Sequence, residues 1–279
     1  MSRFMNWKVA LVLIVVLAFI GIGAWILLSS SDDEEENPAA ATVVTLTVSG
    51  SGGTTTILEA IKPAFEGAVP GFRLETLTGT GTGGGVEGVL GGTLDIAAMA
   101  RAPKDNEAIE YAEFGRSGQA MFVNEGVGDI ELTSEQATAI IFGEIVNWSE
   151  VNGPDMEIVL YVRDESDSST TALRETIFGD NPFPESAQIM TSQGDMINAV
   201  EGIEGAVGFG TWPAVVAAGA KVKPISLDGL RPDDPDYPIT GALGIGYLAE
   251  RQADMQPLID WLVSEQGKNA LRQLSVIIN

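Results

Sequence analysis

The chain has 279 residues, 45% of them hydrophobic, so it can bury a substantial core in one large domain or two smaller ones. It contains neither cysteine nor histidine, which excludes disulfides, a serine–histidine–aspartate triad, a cysteine nucleophile and metal sites built on thiolate or imidazole. Its net charge of −24 argues against nucleic acid and anionic lipid surfaces as partners, because both would be repelled.

An uncharged apolar run at residues 9–28 is long enough to cross the ~30 Å hydrocarbon core of a membrane as a helix. Arg3 and Lys8 precede this run and five acidic residues follow it, so the positive-inside rule places the N-terminus in the cytoplasm. A cleaved signal is the alternative, but its apolar region is usually about 7–15 residues and ends at a small-residue site that residues 27–30 do not provide. We therefore favour a single-pass transmembrane anchor over a signal segment for residues 1–28, with the rest of the chain outside the cytoplasm in both cases.

Residues 29–42 predict an acidic linker, because they are too poor in apolar side chains to pack into a core. The first 42 residues hold five acidic and two basic side chains, so −21 of the net charge belongs to the chain that follows. The acidity is therefore a property of the folded part.

Strand and helix patterns alternate from Val43 onward, which favours an α/β architecture with a largely parallel sheet. Strands are predicted at residues 43–48, 72–77 and 94–99. Helices are predicted between them, and Pro63 should kink or shorten the first. The glycine-rich loops at residues 49–55 and 79–85 then fall at the carboxyl ends of strands, where ligands bind in doubly wound sheets.

The second half of the chain continues the pattern. Thr133 and Gln136 form a predicted capping box at a helix start. A strand at residues 156–162 leads into a third hydroxyl-rich loop at residues 163–170. Further strands are predicted at residues 119–124, 206–210, 221–225 and 239–248, and an amphipathic helix at the end of the chain is predicted to break near Gly267.

Each of the three loops precedes a helix, where backbone N–H groups and small hydroxyls favour an anion. The structural alternative for the first two loops is a tight turn with a threonine cap. Gly79, Gly81 and Gly84 of the second loop also match the G-x-G-x-x-G pattern of dinucleotide-binding proteins. This match is weak, because a loop with so many glycines satisfies the pattern by chance. The third loop begins with Arg163, which can hold an oxyanion through two bonds or instead pair with Asp164 or Glu165.

Two segments carry a more specific resemblance, residues 132–136 (LTSEQ) and residues 140–148 (IIFGEIVNW), with support from residues 207–209 and 264–267. Over residues 45–278 the chain resembles the phosphate-binding proteins of phosphate ABC transporters, within the periplasmic-binding-protein superfamily. The resemblance implies a two-lobe α/β periplasmic-binding-protein fold of type II. One lobe would comprise residues 43–120 plus 237–279 and the other residues 121–236, joined by two crossing strands and closing over a ligand by a hinge.

The same resemblance implies a ligand site. Residues of the family that hold the anion match Thr54 and Thr55 in the first loop, Thr82 in the second and Arg163 in the third. The family's Ser-Gly-Thr after the arginine is replaced here by Asp167, Ser168 and Ser169. These seven residues are the predicted ligand-binding residues.

One position departs from the family, because Ala100 stands where an acidic or hydroxyl side chain is common. A carboxylate there would accept the proton of hydrogen phosphate, which sulfate lacks. We hypothesise that Asp167 takes this role from the other side of the cleft, and the alternative is that Asp167 only caps the helix after it. Arg101 is either a second cation for the ligand or a packing residue, and we favour packing.

The function implied is an extracytoplasmic solute-binding protein that captures inorganic phosphate and delivers it to an ABC transporter permease. We expect a monomer with no enzymatic activity, no cofactor and no metal. Two alternatives stay open: another oxyanion such as sulfate, molybdate or tungstate, which Ala100 permits, and a sensory module of the same fold. A phosphate-ester hydrolase is disfavoured because the chain has no histidine.

Overall fold

The structure of the protein is a computed structural model that describes residues 43–278. The expected anchor and the linker at residues 1–42 lie outside the described residues. In chain order the strands are β1 (Val44–Gly50), β2 (Phe72–Thr76), β3 (Ile96–Met99), β4 (Glu110–Asn124), β5 (Glu131–Leu132), β6 (Val159–Arg163), β7 (Gln188–Met190), β8 (Ala206–Thr211), β9 (Val222–Pro224), β10 (Ser226–Leu227) and β11 (Thr240–Tyr247).

The α-helices alternate with most of these strands, as the sequence pattern predicts, but within the described residues no α-helix separates β3 from β4 and β5 or β9 from β10 and β11. They are α1 (Gly52–Ala68), α2 (Gly81–Leu90), α3 (Ser134–Ile141), α4 (Ser168–Leu173), α5 (Gln193–Gly202), α6 (Trp212–Ala218), α7 (Gln252–Val263) and α8 (Glu265–Gln273). A π-helical turn at Arg174–Phe178 continues α4, and 3-10 turns lie at Glu125–Val127, Trp148–Val151 and Ala249–Arg251. Across residues 43–278, none of the helices combines the length and the apolar character needed to cross a membrane.

The main sheet has the strand order β2-β1-β3-β11-β4-β8-β6-β7, with β9 also paired to β4. The prediction of a largely parallel sheet is wrong, because the sheet is mixed. β1 is parallel to β2 and β3, and β6 is parallel to β7 and β8. β11 runs antiparallel to β3 and β4, and β4 runs antiparallel to β8 and β9. The two parallel groups are thus joined through antiparallel strands.

The longest strand, β4, belongs to both sides of the sheet. Its first part pairs with β11 as far as Gly118, and its second part pairs with β8 from Gln119 onward. Only this second part was predicted as a strand, because the first part, with its glycines and charged residues, lacks a clear apolar run. At Gln119 the backbone N–H donates to the carbonyl oxygen of Ile239 at 2.8 Å, so two chain segments run side by side at this point.

Buried apolar side chains form two large clusters on opposite sides of this junction. The first includes Leu46, Ile57, Phe65 and Trp261, and the rings of Phe65 and Trp261 meet edge to face at 5.6 Å. The second includes Met121, Trp148, Val162, Phe209, Tyr237 and Ile239. Burial of each such side chain contributes about 1.5–3 kcal/mol, so each cluster stabilises its own side.

Local signals in the sequence explain where several helices begin. Thr133 accepts from the backbone N–H of Gln136, and the Gln136 side chain accepts from the N–H of Thr133, so the predicted capping box is confirmed. Pro63 does not shorten α1, since the helix continues to Ala68; its ring lies on the exposed face while Ile61 and Phe65 are buried beside it. The break in the last helical region falls at Ser264, whose hydroxyl accepts from the N–H of Gly267 at 3.1 Å.

Candidate functional site

A cleft of about 1430 Å³ lies where the first turns of four helices converge. Enclosed ligand pockets are typically about 300–1,000 Å³, so this cleft is roomy and open. The unpaired N–H groups of helix first turns favour a negatively charged ligand. The lining residues from those turns are Ser51, Gly52 and Thr55 of α1, Gly81 and Thr82 of α2, Asp167 and Ser168 of α4, and Ser192 and Gln193 of α5.

Arg163 is the buried cation of this cleft. It ends β6 and is only 7% exposed. Its Nη2 donates to Oδ2 of Asp167 at 2.6 Å, whereas Nε and Nη1 have no hydrogen-bond partner among residues 43–278. Leaving charged donors buried and unpaired is costly, by about 1–3 kcal/mol or more for each group. Arg163 therefore retains two donors suited to an oxyanion.

Asp167 serves both Arg163 and the start of α4. Its Oδ1 accepts from the backbone N–H of Ser169 at 2.9 Å, so the predicted capping interaction is present. The alternative that Arg163 pairs with Asp164 or Glu165 is wrong. Glu165 pairs with Arg174 at 2.6 Å, and Asp164 accepts from the hydroxyl of Ser166, which lowers the pKa of Asp164.

The two threonines of the first loop have different environments. Thr54 is fully buried and donates its hydroxyl to the carbonyl oxygen of Met99 at 3.2 Å, away from the cleft lining. Thr55 lines the cleft, and its Oγ1 has no partner within the described part of the chain. Consecutive residues point about 100° apart around a helix, which explains why one faces the sheet and the other the cleft.

The second loop lies next to Ala100, the position at which the family commonly has an acidic or hydroxyl side chain. Thr82 accepts from the backbone N–H of Ala100 at 3.2 Å, and both residues line the cleft. Gly79 allows the two glycine-rich loops to pack closely, because a Cβ there would lie 2.9 Å from Cα of Gly52. The first two loops thus form one wall with Ala100 at its base.

The two predicted ligand-binding serines of the third loop, Ser168 and Ser169, also have different environments. Ser168 lines the cleft, whereas Ser169 does not. Ser169 donates its hydroxyl to Oε1 of Gln119 at 2.7 Å. Gln119 is 1% exposed and also accepts from the hydroxyl of Thr211 at 3.3 Å. The side chain of Ser169 therefore holds the start of α4 against β4 and β8.

Sequence reasoning missed Gln119 and Gln193, which both line the cleft. Gln119 lies within a strand that shows no motif. Gln193 begins α5, and its predecessor Ser192 caps the helix by accepting from the N–H of Asp195 at 3.0 Å. A serine three residues before an aspartate is a helix-start signal, so the helix start could have been found but not the role of Gln193.

Arg101 lies on the cleft lining with its charge engaged. Its Nη1 and Nη2 donate to the two carboxylate oxygens of Glu107 at 2.8 and 2.7 Å. These bonds lower the pKa of Glu107 to about 2. The packing interpretation of Arg101 is thus supported. No cluster of acidic residues capable of holding a metal ion is found in the portion described, residues 43–278.

A family model described as the PBP superfamily domain matches residues 35–266, which is most of the chain. The chain therefore belongs to this superfamily. Two curated relatives are similar to it. The phosphate-binding protein PstS of Bacillus subtilis (strain 168) is 26% identical over 205 residues, 70% of this chain and 66% of the relative. The phosphate-binding protein PstS of Staphylococcus saprophyticus is 35% identical over 99 residues, 31% of each chain. The chain thus matches just under two thirds of the first relative's length and about a third of the second's.

Solved structures share the fold. A chain described as a phosphate ABC transporter substrate-binding protein from Clostridium perfringens, with bound phosphate, has a TM-score of 0.73 at 23% identity. The match covers 85% of this chain and all of that chain. An ABC-type phosphate transport receptor from Vibrio cholerae has a TM-score of 0.60 at 22% identity, covering 84% of this chain and all of the receptor. The mixed α/β fold of periplasmic binding proteins is thereby shown.

Proposed function

We propose that the protein binds inorganic phosphate in the cleft and delivers it to an ABC transporter permease. One observation carries the proposal: Arg163 is buried in the cleft with two donors that have no partner in the described structure. The Thr55 hydroxyl, likewise unpartnered, lines the same space. Relatives named as phosphate-binding proteins, and a phosphate-bound structure of the same fold, support phosphate as the anion.

The residues that would hold the anion are those that the structure leaves available. Arg163 supplies charge, and Thr55, Thr82 and Ser168 supply hydroxyls from three helix starts. Thr54 and Ser169 act indirectly, because their hydroxyls already bond to Met99 and Gln119. In this arrangement affinity comes from short-range donors, since the strongly negative chain does not attract an anion by its overall field.

Asp167 would select phosphate over sulfate. Its carboxylate is bonded directly to Arg163, the proposed anion-binding cation, so it can accept the proton of hydrogen phosphate and repel an unprotonated dianion. Ala100 supplies no such acceptor from the opposite wall. We expect Asp167→Asn to weaken phosphate binding and to gain sulfate affinity. Unchanged phosphate affinity without any gain for sulfate would remove this role and leave Asp167 as a cap.

Two lobes would close on the ligand. The separate apolar clusters support the division into residues 43–120 plus 237–279 and residues 121–236, although Tyr237 and Ile239 pack with the second. The two segments paired at Gln119 and Ile239 would form the hinge. We further propose that residues 1–28 anchor a monomer to the outer face of the cell membrane, as the charge pattern around the apolar run supports.

Thermal unfolding with a panel of oxyanions tests the function. The full chain, purified in detergent, is heated alone and with phosphate, sulfate, molybdate or tungstate. A ligand present at 100 times its Kd stabilises a protein by about 2.7 kcal/mol. We expect phosphate to give the largest rise in Tm. A larger rise with another oxyanion would reassign the ligand, and the absence of any rise would contradict oxyanion binding.

A further inference from the structure

Gln193 is a buried polar residue of the cleft to which neither the sequence motifs nor the family pattern gives a role. It begins the ten-residue helix α5, is 7% exposed, and lines the cleft. Its Oε1 accepts from the backbone N–H of Thr211 at 3.3 Å. Its Nε2 is shielded from solvent and has no hydrogen-bond partner anywhere in residues 43–278.

Gly210 of β8 makes room for the Gln193 amide, and Gly52 at the start of α1 lies within contact distance of the same side chain. A Cβ at Gly210 would lie 2.5–2.6 Å from the two amide atoms of Gln193, and a Cβ at Gly52 would lie 3.8 Å from its Cβ. Gly52 and Thr55 are one helical turn apart and therefore share a face of α1. Gln193 thus lies next to the helix face that presents the unpartnered Thr55 hydroxyl.

A hydrogen-bond chain also connects Gln193 with the start of α4. Gln193 binds the backbone of Thr211, whose hydroxyl donates to Gln119 at 3.3 Å. Gln119 in turn accepts from Ser169, the residue capped by Asp167. Gln193 is therefore connected through hydrogen bonds to the start of α4, near Arg163, and lies beside the start of α1, which contains Thr55.

The orientation of the amide determines what it can recognise. With Oε1 engaged by the backbone, only the Nε2 donor is available, and a donor suits an anion and not a cation. The first turn of α5 adds further N–H groups and a favourable dipole on the same side. A buried donor left unpaired costs stability, and an oxyanion at Arg163 and Thr55 offers it an acceptor.

We propose that Gln193 is a further ligand-binding residue, which donates its Nε2–H to the oxyanion held by Arg163 and Thr55. This inference rests on the proposed phosphate-binding function. It adds α5 to the helices that contact the ligand. Gln193 thereby increases affinity through one more hydrogen bond to a charged group.

Calorimetric titration of the full chain with inorganic phosphate tests the proposal with three variants. Gln193→Glu keeps an acceptor for Thr211 and replaces the donor with negative charge. Gln193→Met removes the amide at similar size. Gln266→Glu makes the same change at an exposed position of α8 and serves as the control. We expect both Gln193 variants to weaken binding by about tenfold to a hundredfold, the usual effect of a hydrogen bond to a charged group, and the control to bind as wild type does.

The outcomes separate this inference from the function on which it depends. If wild type binds no phosphate, both proposals fall. If wild type binds and both Gln193 variants stay within threefold of it, only the inference about Gln193 falls. Should the variants not fold, the side-chain amide resonances of Gln193, assigned in the wild type, decide: they must shift on saturation with phosphate, and unchanged resonances overturn the proposal.

Discussion

The two walls of the cleft use different chemistry to the same end. The wall formed by the starts of α1 and α2, here called the glycine wall, consists of residues 51–56 and 79–84. It contains no charged side chain and offers backbone N–H groups and serine and threonine hydroxyls as donors. The wall formed by β6 and α4, here called the arginine wall, consists of residues 163–168 and contains Arg163 with Asp167. The glycine wall thus supplies close approach, and the arginine wall supplies charge and selection.

This difference predicts unequal effects of substitution. The largest is expected at Arg163, because Arg163→Gln removes two available donors and the buried positive charge of the proposed site. We expect at least about a hundredfold loss of phosphate affinity by calorimetry, since each hydrogen bond to a charged group is worth about 1.5–3 kcal/mol. Circular dichroism checks that the variant folds.

Arg101→Gln is the matched control for this comparison. Arg101 lines the same cleft, but both ends of its guanidinium are held by Glu107. Its loss should change phosphate affinity by less than about threefold, because Nη1 and Nη2 of Arg101 are already bonded to Glu107 and are not available to the ligand. Equal losses for the two arginines would show that the cleft recognises charge in general and that the arginine wall has no special role.

The glycine wall is expected to be sensitive to size. A Cβ added by Gly53→Ala would lie 2.4 Å from Oγ1 of Thr211, which is itself bonded to Gln119. We expect a loss of about 1–3 kcal/mol in the free energy of unfolding, as is typical of overpacking. Chemical denaturation measures it.

Gly67→Ala in the same helix provides the control. An added Cβ at Gly67 would have no atom within 4 Å, so the substitution should raise stability by about 0.5 kcal/mol through the helix preference of alanine. The two variants should therefore shift the unfolding free energy in opposite directions. Shifts of the same sign would contradict the close packing described for the start of α1.

Thr54 and Thr55 sharpen the comparison within one wall. Thr55→Val should weaken phosphate binding by about tenfold and leave stability nearly unchanged, because its hydroxyl has no protein partner in the described structure. Thr54→Val should lower stability by about 1 kcal/mol and leave affinity nearly unchanged, because it loses the bond to Met99. A phosphate titration and a denaturation curve for each variant measure its affinity and its stability. A loss of affinity for Thr54→Val and a loss of stability for Thr55→Val would contradict the roles assigned to the two threonines.

The smallest effect concerns Glu107, the carboxylate that pairs with Arg101. The pKa of this carboxyl falls from 4.5 to about 2 through its hydrogen bonds with Arg101. A lowered pKa in the folded state stabilises the protein above pH 4.5, and this contribution is lost as the pH falls toward 2. The Tm difference between wild type and Glu107→Gln should therefore be constant above pH 5 and shrink below it. A difference that does not depend on pH would contradict the ion pair.

Local chemistry explains what could be predicted from the sequence. The capping box of Thr133 and Gln136 depends on four adjacent residues, and the positions of most strands follow their apolar runs. The glycine-rich loops likewise indicate an anion site from adjacent residues alone, because glycines and hydroxyls at a helix start present donors locally. The first part of β4 lacks a continuous apolar pattern, because glycines and charged residues interrupt it, so it was not predicted as a strand. The antiparallel pairing of β11 with β4 depends on contacts between residues that are distant in sequence.

The roles of single side chains could not be predicted in this way. Whether Thr54 or Thr55 faces the ligand depends on the residue at which α1 begins, since one residue changes the direction by about 100°. The orientation of the Gln119 amide depends on hydrogen bonds from Ser169 and Thr211, and that of Gln193 on a bond from Thr211. These partners are distant in sequence from the glutamines that they orient. A pattern therefore identifies the kind of site, whereas the available donors become known only from the packed structure.

Binding of phosphate by the cleft is the central claim, and calorimetric titration of the full chain with phosphate and with sulfate tests it most directly. The account predicts saturable binding of one phosphate per chain, with sulfate at least tenfold weaker because Asp167 disfavours an unprotonated dianion. Sulfate binding as tight as phosphate would contradict the selectivity assigned to Asp167. No saturable binding of phosphate would contradict the function itself.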